Sequence, residues 1–151
     1  MKQQLFQFLS IVALWTFFIP FVLVLIKRLW LEVPFLLFGI YWMLNGVVNI
    51  IDTLPMFSKP SLDMLKLLYN TIDIPLVLLF IFFSTASASL KRFISYAVPA
   101  FLLLELGNCW VQGWTLEAVK YVMGLGLLLV FVAVIWVISL YMQKLEHSVQ
   151  E

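Results

Sequence analysis

The run YVMGLGLLLVFVAVIWVISLYM, residues 121–142, decides the fold. Between Lys120 and Lys144 there is no charged residue and no proline. A helix needs roughly 20 apolar residues to cross the hydrocarbon core of a bilayer. The run is continuously apolar rather than alternating, which separates it from a barrel strand. With no water in the bilayer core the backbone must bond to itself, and a helix does so within one segment. Residues 116–142 therefore read as a transmembrane helix. Thr115 is placed to cap it, and Glu117 falls in its first turn, where the positive end of the helix dipole favours an acid.

The rest of the chain repeats this grammar. Towards the N-terminus, Lys91-Arg92 opens a stretch that runs to Gly113, with Pro99 expected to kink it. A small-residue turn, Ser84 to Ser89, precedes it. Residues 62–85 follow Ser61, a plausible N-cap with Asp63 near the dipole. Residues 34–54 begin at Pro34, whose missing N–H costs nothing in a first turn, and Pro55 and Pro60 break the chain beyond them. Residues 5–26 end at Lys27-Arg28. That stretch is too long for a signal peptide and lacks a small-x-small cleavage site, so it reads as a retained first helix.

Composition points the same way. Of 151 residues, 64% are hydrophobic and 11% charged, too few polar groups to cover a water-soluble domain. The expected fold is all-α: a polytopic integral membrane protein, a bundle of about five transmembrane helices forming one domain over residues 1–151. Such a domain has no room for a separate extramembrane module. The net charge is +1 and the basic residues are scattered, so no basic stripe exists to hold nucleic acid. Cys109 is the only cysteine, which excludes an intrachain disulfide. His147 is the only histidine and lies in the polar tail, so neither a histidine metal set nor a Ser-His-Asp triad is expected. No cofactor or metal is expected.

Orientation follows from Lys and Arg near the helix ends. With five spans, Lys27-Arg28, Lys91-Arg92 and Lys144 share one side, against Lys2, Lys59, Lys66 and Lys120 on the other. The reading favours a cell (plasma or inner) membrane, with the N-terminus outside and the C-terminus cytoplasmic.

Candidate function lies in the polar residues that hydrocarbon would reject. Asn45, Asn49 and Asp52 share a face of the second helix, by spacings of four and three. Lys66, Asn70 and Asp73 share a face of the third, with Tyr69 beside them. Glu105, Asn108 and Cys109 share a face of the fourth, and Lys120 and Tyr121 enter the fifth. Because the helices alternate in direction, all these residues fall in one leaflet's half. The half beside the Lys-Arg pairs is almost purely apolar.

A charged residue at the middle of a span costs roughly 2.5–3.5 kcal/mol on insertion scales, which makes the two deepest acids, Asp73 and Glu105, the leading functional candidates. The asparagines serve equally well as interhelical glue. Asp52 lies near the interface, where a solvated helix end is the simpler role. Lys66 and Lys120 read as snorkelling residues, and Tyr69 and Tyr121 fit an aromatic belt as well as a cavity wall.

The leading expectation is a small-molecule or lipid-binding membrane protein, a carrier or sensor. Its partners would be membrane lipid or an apolar molecule with a polar or cationic head held by Asp73 and Glu105. One alternative is an isomerase or transferase using the same carboxyls as acid and base on a lipid-soluble substrate. Others are a proton- or ion-coupled transporter, or an accessory subunit joined to a helical partner or to a second copy of itself.

Overall fold

The computed structural model describes residues 9, 11–53 and 58–149, and among them every regular element is helical. Five helices follow one another: α1 (Ile11–Ile26), α2 (Val33–Thr53), α3 (Lys59–Ser84), α4 (Ala88–Gln112) and α5 (Leu116–Val149). Helices α2 to α5 are long and apolar enough to cross a membrane, and the described part of α1 is shorter. The protein is thus an all-α helical membrane protein. Its outer surface suits lipid: Leu103, Leu128, Phe131 and Ile138 are all more than half exposed.

The helix ends show where local chemistry overrides hydropathy. Pro20 lacks an N–H and crowds the carbonyl four residues back, so α1 breaks at Phe17–Phe18. There Phe17 and Phe18 donate to the carbonyls of Leu14 and Trp15, three residues back, before the regular helix resumes at Ile19. The expected start near residue 5 lies outside the described residues. Helix α3 starts at Lys59, earlier than expected. Ser58, not Ser61, takes the capping position, since its carbonyl accepts the first helical bond from Leu62, and Pro60 falls in the first turn.

Helix α4 starts at Ala88 rather than near Lys91, because Ser87 caps it by accepting from the Leu90 N–H. Thr115 caps α5 as its position predicts, with its hydroxyl accepting from the Ala118 N–H. Helix α5 passes its expected end near 142 and continues to Val149. Its 34 residues measure about 50 Å against a hydrocarbon core of roughly 30 Å. Its polar last turns, from Lys144, are therefore carried by a helix longer than the core requires.

The chain divides within α3 into two compact units, Met1–Tyr69 and Asn70–Glu151. In the first, α1 packs onto glycines of α2. A Cβ on Gly46 would lie 2.8 Å from the Phe18 ring, and one on Gly39 would touch Phe21 and Val24. Phe17, Phe38 and Tyr41 surround the Trp42 ring at centroid distances of 5.7, 6.2 and 6.0 Å. Arg28, in a left-handed conformation with φ 53°, turns the chain into a short 3-10 helix (Leu29–Leu31) that leads to α2.

In the second unit, α3, α4 and α5 share a core of Ile74, Leu78, Ile81, Leu90, Ile94, Phe101 and Ala133. The spacing on α4 (residues 90, 94, 97, 101, 105 and 109) follows one helical face, and all six are buried. Gly126 lets α5 come close. A Cβ there would lie 2.5 Å from Phe101 Cε2 and 2.9 Å from Ile74 Cγ1, whereas Gly124 has open space beside it.

Candidate functional site

Along α3 the positions 67, 71, 74, 78 and 81 form one stripe. Leu67, Ile74, Leu78 and Ile81 are buried, and Thr71 is the single polar member. On α4 the single charged member of the buried stripe is Glu105, at 1% exposure. These two polar positions meet: Thr71 Oγ1 donates to Glu105 Oε1 over 3.1 Å. The second carboxyl oxygen, Oε2, is buried and has no hydrogen-bond partner among the described residues. Pro75 lies four residues after Thr71, so the Thr71 carbonyl loses the backbone donor that a helix would otherwise supply. A carboxyl and a hydroxyl thus meet within one layer of an apolar core.

Glu105 accepts a hydrogen bond from Thr71. Asp73 is half-buried and two residues further along α3, about 200° around the helix, and so stands on another face. Thr71 does not stand out in the sequence, because a threonine costs little inside a span. The available signal was its place as the one polar member of an otherwise apolar stripe.

The other candidates separate by role. Asn108 Nδ2 donates to the Ala118 carbonyl and ties the end of α4 to the start of α5. Asn49 Nδ2 donates to the Asn45 carbonyl over 2.8 Å, within α2. Asp52 forms an ion pair with Lys66 Nζ at 2.6 Å, joining the end of α2 to the early turns of α3. That pairing gives Lys66 a partner in place of a purely snorkelling role. Tyr69 and Asn70 are half-buried on α3, and Tyr121 is 78% exposed at the start of α5. Among the described residues, no three His, Cys, Asp or Glu side chains group as metal ligands.

A cleft of about 570 Å³ opens at the opposite end of the second unit, beside the α3–α4 turn. Its walls are Phe80, Ile81, Val137, Leu140 and Tyr141, and its polar rim is Ser84, Thr85, Ser87 and Lys144. This volume lies within the range of small-ligand sites. It arises because the turn residues Ser84 to Ser87 are too small to fill the space between α3 and α5. None of the acids or amides singled out in the sequence lines it. A smaller groove of about 400 Å³ runs along the start of α4, past Arg92, Phe93 and Tyr96.

No family model matches the chain, and neither the curated proteins nor the solved structures contain a significant match.

Proposed function

We propose that this protein binds a lipid or lipid-soluble amphiphile within the membrane, in the cleft between the α3–α4 turn and the last third of α5. One observation carries the reading: a 570 Å³ cleft in a lipid-facing helical unit, apolar along its walls and polar at one rim. An alkyl chain suits Phe80, Val137 and Leu140, while a polar head suits the hydroxyls and Lys144. We place this end in the cytoplasm of a cell membrane, because Lys91, Arg92 and Lys144 cluster there and basic residues favour the inner side.

The test is retention of ligand by purified protein after detergent exchange, read by native mass spectrometry. The parent protein should carry an amphiphile of lipid mass. Ser84→Trp, which places an indole in the cleft from an exposed position, should lose it. Equal retention by the two proteins would sink the proposal.

A second reading rests on Glu105. A buried carboxyl with one oxygen bonded to Thr71 and the other unpaired suits proton transfer to a lipid-soluble substrate. It predicts that Glu105→Gln, which keeps the shape and the Thr71 contact, abolishes any turnover while amphiphile retention persists. Loss of retention without any measurable turnover in the parent would count against it.

A further inference from the structure

We infer that the head recognised in this cleft is anionic, a phosphate-bearing membrane lipid such as phosphatidylglycerol or phosphatidic acid. The inference rests on the amphiphile reading above and adds the class of headgroup. It follows from the direction of the hydrogen bonds at the rim.

Thr85 Oγ1 accepts from the Ser87 N–H at 3.2 Å, and Ser87 Oγ accepts from the Leu90 N–H at 3.4 Å. Each hydroxyl thereby accepts one bond from the backbone and keeps a proton that it can donate. Ser84 differs, since its proton is committed to the Phe80 carbonyl at 2.7 Å. Lys144 adds an ammonium group with three donors and no acceptor. Three of the four polar rim side chains, those of Thr85, Ser87 and Lys144, can therefore donate to a bound head, and among the described residues the cleft lining contains no carboxylate.

The surroundings agree. The nearest acid along α5 is Glu146, two residues from Lys144 and so about 200° around the helix. Lys91 Nζ lies 5.5 Å from the centre of the Phe82 ring, and Arg92 is exposed at the next position of α4, so the same end carries two further cations. An acceptor-only anion satisfies such a rim. A choline head would set a cation against Lys144. The acyl chain continues along Phe80, Ile81, Val137 and Leu140, so head and tail are met by different parts of one cleft.

The experiment uses the full chain in a neutral detergent, with phosphatidylglycerol and phosphatidylcholine of identical acyl chains added in competition, and bound lipid counted by native mass spectrometry. A lysine beside an anionic lipid head favours binding by about fivefold. The parent should therefore prefer phosphatidylglycerol by at least that factor. Lys144→Gln should remove most of the preference, because phosphatidylglycerol binding falls further than phosphatidylcholine binding. Lys120→Gln, at the other end of α5, should leave the preference intact. Inorganic phosphate at millimolar concentration should not displace the lipid, which separates a lipid site from a free-phosphate site.

Equal binding of the two lipids, or a preference that survives Lys144→Gln, would overturn the headgroup assignment while the amphiphile reading stands. Displacement by phosphate alone would overturn the lipid as its source. Failure of both lipids to bind, or binding untouched by Ser84→Trp, would instead remove the amphiphile reading itself.

Discussion

Substituting the two glycines of α5 by alanine tests the packing of the second unit with its own internal control. A Cβ on Gly126 would come within 2.5 Å of Phe101 Cε2 and 2.9 Å of Ile74 Cγ1. Carbon atoms settle at about 3.5–4.0 Å, so the ring must retreat by roughly an ångström. Phe101 and Ile74 are each 1% exposed, and neither has lipid or solvent to turn into. Overpacking of this kind costs about 1–3 kcal/mol. A Cβ on Gly124, half a turn away, meets no atom within 4 Å.

Both substitutions carry the same gain in backbone preference, about 1 kcal/mol in water-soluble helices. Whatever that gain is worth in lipid, it cancels in the difference. Gly126→Ala should therefore be about 1–3 kcal/mol less stable than Gly124→Ala. The assay is reversible unfolding in mixed micelles of mild detergent and dodecyl sulfate, followed by helical circular dichroism. Phe101→Leu should cost less in the Gly126→Ala background than in the parent, since it removes the atoms that clash. If the two alanine variants unfold together, or the Phe101 change shows no coupling, α5 does not approach α3 and α4 at Gly126 as described.

Two further predictions concern the polar contacts. Thr71→Val leaves the Glu105 carboxyl without its donor, and Glu105→Met removes the carboxyl. A double-mutant cycle in the same unfolding assay should give a coupling of about 0.6–1.7 kcal/mol, the range for hydrogen bonds between spanning helices. A coupling of zero would mean that the two side chains do not meet. The Asp52–Lys66 pair is partly exposed, so Asp52→Asn should destabilise by less than about 1 kcal/mol, and added salt should shrink the effect. A larger, salt-independent loss would show that the pair is shielded from solvent.

How much of the candidate site was legible beforehand depends on the residue. Glu105 was visible, because an acid in the middle of an apolar stretch stands out on cost alone. Its partner was not: face-sharing rules state which residues of one helix lie together, and leave open which face of a neighbour they meet. The antiparallel register that sets Thr71 against Glu105 is fixed by the buried apolar residues around them, Ile74, Leu78, Ile94 and Phe101 among them, fitting into one core. Lys66 and Asp52 show the same limit. Both were visible singly, and only the fold made them a pair.

The sequence by itself determined the environment and the elements. Runs such as 121–142 leave a backbone in lipid no option but a helix, and Thr115 and Pro20 act through their own local chemistry. Tertiary structure alone decided where open space lies. A cleft forms where packing falls short, and here that is beside Thr85 and Ser87, small residues whose hydroxyls are turned by the capping of α4. No run of residues encodes that gap, because its walls come from two helices more than fifty positions apart, and their rotation about their own axes is set by the core they share.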